Sequence, residues 1–219
     1  MVATTIGIIG NGPPLYPDFS RYEQEVDFWI AADRGALTLL ENGIEIDLAI
    51  GDFDSITEEE KEFVRNHVKQ FNEYPAEKDE TDLELALIHA LKKEPERLYL
   101  FGVTGGRLDH EMINIQLLYT IAQNGVRGVI VDQSNIVELY QPGSYVVERN
   151  NSYPNISFIP FSSTIKGLTL SDFYYPLADA TVSWGSTLCI SNRLIGNSGT
   201  FSFTQGILLL IKSRDTIPR

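Results

Sequence analysis

One cysteine, Cys189, is all that the 219 residues contain, so no internal disulfide can form and a reducing compartment is the simpler expectation. Basic residues are scarce as well: 17 Lys and Arg stand against 30 Asp and Glu, a formal charge of −13. That balance excludes non-specific nucleic-acid binding, which needs a basic face, and disfavours an anionic membrane surface. Long apolar runs are missing too. No stretch approaches the ~20 apolar residues of a membrane span, and "MVATTIGIIGNGPP" has neither the basic start nor the length of a secretory leader. A cytoplasmic protein is expected. Any anionic substrate must then be met locally, by a few Lys or Arg, by backbone N–H groups or by a cation.

What is present divides into two halves. Up to about residue 133, short apolar runs alternate with helical patterns, as in a parallel α/β sheet. "TTIGIIG", "FWIAAD", "LAIGDFD", "RLYLFGV" and "GVIVDQ" are the candidate strands. The clearest helix is "TDLELALIHALKK", where Leu83, Ala86, Leu87, Ala90 and Leu91 recur at helical spacing. Thr81 and Glu84 form a capping box that starts this helix at Asp82. From Ser134 onward, "NIVELYQPGSYVVE", "SFIPFS", "GLTLSDF", "STLCISN" and "GTFSFTQGILLLIK" are β-branched or aromatic runs separated by Pro, Gly, Asn and Ser. These read as antiparallel strands of a sandwich or barrel. The expected architecture is a Rossmann-like parallel sheet with helices on both faces over residues 1–133, then a β-sandwich over residues 134–219. No repeat or flexible linker separates them.

The acidic residues cluster. "IDLAIGDFDSI" is an apolar strand that ends in Asp52 and Asp54. In an extended chain residues i and i+2 face the same way, so both carboxylates can enter a crevice at the carboxyl end of a strand, where open α/β sheets bind ligands. Two carboxylates ~5 Å apart at an effective dielectric near 20 repel by about 3 kcal/mol. A cation offsets that, and Mg²⁺ suits the oxygen ligands while leaving positions for phosphates. The competing account is two solvated carboxylates at a helix start, since Ser55 and Glu58 also form a capping box. In "EKDETD", Asp82 has a complete explanation in the helix dipole. If this loop lies beside the strand bearing Asp52, however, Asp82 supplies a third carboxylate and Lys78 a phosphate contact.

A third cluster is "GVTGGRLDHEMIN". Gly105 and Gly106 let the backbone approach a ligand, and Arg107 offers a planar fork for phosphate oxygens. Asp109 and His110 open a helix whose Ile113, Leu117 and Ile121 are expected to face inward, and such a helix start is an anion site. His110 serves equally as a cap or a phosphate contact. "GNGPPL" lacks the third glycine of a dinucleotide fingerprint and reads as a tight turn that approaches phosphate. In "AADRGALTLL", Asp33 ends a strand and Gly35 permits close approach.

Together these motifs resemble the thiamin pyrophosphokinase (thiamine diphosphokinase) family: "ADRGALTLL", "IDLAIGDFDSI", "EKDETDLELAL", "GVTGGRLDHEMIN", "YQPG" and "ISNRLIG" occur in that family's order from about residue 30 to the C-terminal strands. The resemblance implies transfer of the terminal diphosphate of ATP to the hydroxyl of thiamine, giving thiamine diphosphate and AMP, by a homodimer. It implies that Asp52, Asp54 and Asp82 surround Mg²⁺ and the phosphates. Asp33, Arg107 and Asp109 would line the same site, and Ser191–Asn192 would lie near thiamine. Relatives with Gln in place of Lys78 leave that side chain's task open. The nucleotide-site candidates are Asp33, Gly35, Lys78, Asp79, Thr81, Gly105, Gly106, Arg107 and His110. The catalytic candidates are Asp52, Asp54, Asp82, Arg107 and Asp109.

The chemistry suits these residue types. Attack at the β-phosphorus needs in-line positioning and charge neutralisation more than covalent help. Asp82 or Asp109 is the candidate proton acceptor. Tyr174, Tyr175 and Trp184 either stack on thiamine or belong to the sandwich core or a dimer interface. Two rival readings stand beside this one. A strand ending in D-x-D also opens haloacid-dehalogenase-type phosphatases, which have no role for G-G-R-x-D-H. A non-catalytic thiamine or nucleotide binder has no need of clustered carboxylates that weaken its affinity for an anion.

Overall fold

The computed structural model describes residues 4–215, so the outermost residues of the two predicted domains lie outside the described ones. The chain divides into two compact units after Gln133. The first contains β1 (Thr5–Ile9), β2 (Phe28–Ala32), α1 (Gly35–Glu41), β3 (Leu48–Gly51), α2 (Glu58–His67), β4 (Phe71–Glu73), α3 (Asp82–Leu91), β5 (Arg97–Phe101), α4 (Leu108–Gln123) and β6 (Arg127–Val131). Its six strands pair in parallel in the order β4-β3-β2-β1-β5-β6. Every residue of β3 and the last four of β1, β2 and β5 are buried. Burial at successive residues means both faces of the sheet are covered, with α1 packing on β1 and β2, α3 on β1 to β3, and α4 on β6.

The strand order reverses between β1 and β5. Chain leaving β1 passes to β2, β3 and β4 on one side, and β5 then enters on the other. Such a switch point opens a crevice at the carboxyl ends of the strands. Beneath it lies an aromatic core. Phe101 at the end of β5 is fully buried, with the rings of Tyr22, Phe19, Trp29 and Tyr99 at 5.0, 5.5, 5.5 and 5.9 Å.

Three local expectations are corrected. Helix α2 begins at Glu58, with its N-cap at Thr57, two residues beyond Ser55, and a reciprocal capping box between Thr57 and Glu60, because the Ser55 hydroxyl is engaged elsewhere. In α4 the buried residues are Asn114, Leu117, Leu118 and Ile121, whereas Ile113 is 46% exposed. The inward stripe runs through Asn114 because its amide is needed below the crevice. Strand β3 stops at Gly51, and Phe53 adopts a left-handed φ of 57°, so the Asp52–Asp54 segment is a turn and not extended chain.

The second unit contains β7 (Asn135–Tyr140), β8 (Gly143–Glu148), β9 (Asn155–Pro160), β10 (Thr164–Ser171), β11 (Leu177–Ser183), β12 (Ser198–Phe203) and β13 (Leu208–Ser213). Strands β7-β13-β9 form one antiparallel sheet and β11-β10-β12-β8 another. Phe158, Leu208 and Leu210 from the first share a core with Val147, Leu168, Leu170, Val182, Phe201 and Phe203 from the second, as a sandwich requires. The predicted strand "STLCISN" is a loop instead. Asn192 and Ile156 exchange backbone hydrogen bonds and Phe158 N–H donates to Cys189 O, but Ser191 sits at φ 57° and breaks the ladder.

Candidate active site

The crevice at the switch point encloses about 600 Å³ and is lined from the loops after β1, β2, β3 and β5 and from the N-terminal ends of α3 and α4. The β1 loop, Gly10–Pro13, presses against the β5 loop: Gly12 N–H donates to Gly102 O over 2.7 Å. A Cβ at Gly12 would collide with Gly102 O and stand 2.8 Å from Gly102 C, both backbone atoms that cannot rotate away. Gly12→Ala is therefore expected to push the two loops apart and lower stability by about 1–3 kcal/mol through overpacking. A thermal melt checks this; an unchanged Tm would show that the two loops can part without cost. Gly35, at the start of α1, meets the carbonyls of Ile9 and Gly10 in the same way, at 2.8 and 2.9 Å from an added Cβ, which is why this position lies behind the crevice wall and not on it.

Asp33, after β2, and Asp52 and Asp54, in the turn after β3, bring carboxylate oxygens within 4.8 Å of one another. Asp33 follows β2 and is only 6% exposed. Its Oδ2 accepts hydrogen bonds from Asn11 Nδ2 at 2.9 Å and Ser55 Oγ at 2.6 Å. Its Oδ1 is buried and has no donor. Asp52 accepts from Asp54 N–H at 3.2 Å through Oδ1 and from Lys78 Nζ at 3.1 Å through Oδ2. Burial alone would raise the Asp52 carboxyl, but these donors outweigh it and hold the pKa below the usual carboxylate value. The Asp52 charge in turn pushes exposed Asp54 upward.

Asp82 at the start of α3 stands on the far side of Lys78, whose Nζ lies 3.0 Å from Asp82 Oδ1. The pair is close enough for charge attraction but not aligned for a hydrogen bond, so Oδ1 is a second buried acceptor without a donor. Burial raises the Asp82 pKa, with Lys78 offsetting only part of it. Burial works against the Lys78 ammonium, yet the two carboxylates beside it prevail and raise its pKa. Thr81 caps α3 through Glu84 N–H at 3.2 Å and also lines the crevice. Asp79 and Gly105 are outside the lining, whereas Gly106, Arg107 and His110 are within it.

Arg107 is the N-cap residue of α4 but makes no side-chain cap. Its guanidinium is 74% exposed and pairs through both Nε and Nη2 with Asp109, at 3.2 and 2.6 Å. The Arg107 bonds hold the Asp109 carboxyl down to about 2. Below the loop, Asn114 Nδ2 donates to Val103 O at 2.8 Å and Thr104 Oγ1 to Asp132 Oδ2 at 2.7 Å. These bonds fix the G-G-R turn.

Asn11, Ser55 and Asn114 are the functional-site residues that the sequence reading missed. Asn11 and Ser55 lie inside motifs already singled out, "GNGPPL" and "GDFDS". The signal for them was a pair of short polar side chains just after β1 and β3, the two strands that flank β2 and Asp33.

In the second unit, Asn192 is 2% exposed, and both ends of its amide are engaged. Oδ1 accepts from Tyr175 N–H at 3.0 Å and Arg193 N–H at 2.8 Å, and Nδ2 donates to Tyr175 O at 2.8 Å. Ser191 N–H donates to Ser157 Oγ at 3.0 Å, and Arg149 reaches the carbonyls of Leu194, Ile195 and Gly196. The loop is thus pinned from three sides. Tyr174, Tyr175 and Trp184 are 52%, 59% and 73% exposed, so they are not part of the sandwich core.

The sequence matches two family descriptions: "Thiamin pyrophosphokinase, catalytic domain" over residues 19–130 and "Thiamin pyrophosphokinase, vitamin B1 binding domain" over residues 144–208. The chain belongs to the thiamin pyrophosphokinase family. Among the relatives of this family, the thiamine pyrophosphokinase of Bacillus subtilis is 47% identical over 212 residues, covering 96% of this chain and 99% of that one. Its crystal structure superposes with a TM-score of 0.91 at 45% identity, over 97% of this chain and 100% of that one. A thiamin pyrophosphokinase family protein from Enterococcus faecalis gives 0.89 at 32% identity, again over 97% and 100%. The family's catalytic match covers β2 to α4 and most of β6, and its second match falls within the sandwich. Among the described residues, no helix is long and apolar enough to cross a membrane.

Proposed function

We propose that this chain is a thiamine diphosphokinase, moving the terminal diphosphate of ATP to the hydroxyl of thiamine and releasing AMP. The observation that carries the reading is the gathering of Asp33, from the loop after β2, with Asp52 and Asp54, from the turn after β3, at the rim of a crevice at the switch point. Likeness over nearly the full length to the Bacillus subtilis thiamine pyrophosphokinase supports the substrates.

The donor set suits Mg²⁺. It is all oxygen, and Asp33 Oδ1 is a buried acceptor lacking a donor. Asp33, Asp52 and Asp54 would hold the ion; bound there, it neutralises phosphate charge. Asn11 and Ser55 fix the orientation of Asp33. Arg107 contributes the fork for phosphate oxygens once it exchanges its exposed Asp109 partner for them, and the first turn of α4 adds N–H donors. Asp82 suits the role of proton acceptor for the thiamine hydroxyl. Its pKa is raised and one oxygen has no donor, whereas Asp109 is held near 2 with both oxygens bonded. A better base has the higher pKa. The phosphatase reading needs the first aspartate of D-x-D as a free nucleophile, but both oxygens of Asp52 accept hydrogen bonds.

Thiamine is assigned to the pinned loop at Ser191 in the second unit. Asn192 holds that loop in shape and leaves the Ser191 hydroxyl and the exposed rings of Tyr174 and Tyr175 to meet the vitamin. A second copy of the chain would cover the exposed Val146, Trp184, Leu188 and Ile195, making a homodimer. With one buried cysteine and no disulfide, the cytoplasm is the assigned compartment. Incubation with ATP, Mg²⁺ and thiamine is expected to yield AMP and thiamine diphosphate in equal amounts without free phosphate, read by ion-pair chromatography. ADP or inorganic phosphate as the main product would overturn the assignment.

A further inference from the structure

The carboxylate cluster carries a cation of its own. Lys78 Nζ lies 3.1 Å from Asp52 Oδ2, 3.0 Å from Asp82 Oδ1 and 3.2 Å from Pro75 O. Its side chain is only 12% exposed. The ammonium donates hydrogen bonds to Asp52 Oδ2 and Pro75 O and holds Asp82 Oδ1 by charge attraction. Asp52 is consequently shared: it belongs to the triad with Asp33 and Asp54 and also to the Lys78 pair. Asp82 belongs only to the latter.

We propose that Lys78 is a tethered counter-cation that fills the position between Asp52 and Asp82, so that the nucleotide-free chain takes a single divalent ion, at Asp33, Asp52 and Asp54. This rests on reading the triad as a divalent-cation site. The charges support it. Four carboxylates and one ammonium leave three negative charges, and one divalent ion reduces these to one. Without the ammonium, four negative charges remain, and a second divalent ion is needed to neutralise them. The second ion and the ammonium would use the same two oxygens, Asp52 Oδ2 and Asp82 Oδ1, so they exclude one another. Asp82 is then held by Lys78 and is not an ion ligand in the resting chain. This leaves it available as a base.

Counting Mn²⁺ on the full chain without nucleotide, from the paramagnetic resonance signal of free ion during titration, tests this. Wild type is expected to bind one Mn²⁺ per chain. Lys78→Gln is expected to bind two, or its first at least tenfold more tightly, and Lys78→Arg to stay at one. Asp82→Asn, with Lys78 intact, should keep the wild-type affinity within tenfold. Two ions on wild type, one ion on Lys78→Gln with affinity within tenfold of wild type, or a greater than tenfold loss in Asp82→Asn would each overturn the proposal. Should Lys78→Gln fail to fold, the wild-type and Asp82→Asn titrations decide. A wild type that binds no Mn²⁺ overturns the proposal and the cation site together. Absence of AMP formation with these ion counts intact would overturn only the proposed reaction.

Discussion

Asp52→Asn is expected to lower kcat by about a thousandfold or more while the protein stays folded, since loss of a group that positions transition-state charge neutralisation typically costs ~10²–10³ by itself, and here it also removes a shared ligand. The geometry makes Asp52 the hinge of the cluster. It lies within 4.8 Å of Asp33 and Asp54 and accepts a hydrogen bond from Lys78. Asn keeps the shape but provides one neutral acceptor where two charged oxygens stood. Stability should change little, because losing the Lys78 attraction is balanced by relief of repulsion from the neighbouring carboxylates. At an effective dielectric near 20 and ~5 Å, that repulsion is about 3 kcal/mol for a buried pair and less where water screens it. The measurement is AMP production under saturating ATP and thiamine, with a thermal melt alongside. A loss below tenfold, with the melt unchanged, would remove Asp52 from the site.

Phe101→Ala is expected to do the opposite, costing about 3–5 kcal/mol of stability through the cavity it leaves while sparing turnover per folded molecule. Phe101 is fully buried and touches four aromatic rings of the first unit, so no neighbour can swing in to fill the gap. These ring contacts are all to aromatic side chains outside the crevice lining. At the size of this unit the cost corresponds to a fall in Tm of roughly 10–20 °C. Calorimetry and activity well below the new transition separate the effects. A Tm within a few degrees of wild type would mean the ring cluster adapts, contrary to its packing.

The two variants also mark what the sequence could and could not disclose. The helix at Asp82–Leu91 and the five longer parallel strands were legible because their apolar periodicity is set by burial on a known face. Strand β4, only three residues long, carries too little pattern to read. "STLCISN" does not keep a strand's alternation, since Cys189 and Asn192 are buried while both Ile190 and Ser191 between them are exposed, and its composition did not reveal that Ser191 adopts a left-handed φ. Ile113 sat on the expected helical stripe, yet the polar Asn114 took the inward place to hold Val103 O. The acidic residues were legible as a set. Their grouping was not, because Asp33 and Ser55 are 22 residues apart and meet only through the adjacency of β2 and β3, which strand order decides. The pleat argument for Asp52 and Asp54 reached the right neighbours by the wrong route: a turn, and not an extended chain, brings them together.

That turn has a consequence of its own. Phe53, between the two aspartates, holds an unfavourable left-handed backbone while its side chain is 2% exposed and stacks on Phe71 of β4 with ring centroids 4.5 Å apart. The ring is the anchor that keeps the backbone bent, since straightening the turn would drag it into water at a cost of about 2–3 kcal/mol. The turn that carries Asp52 and Asp54 is therefore set before anything binds, and an arriving ion meets these two carboxylates in a mould already cast.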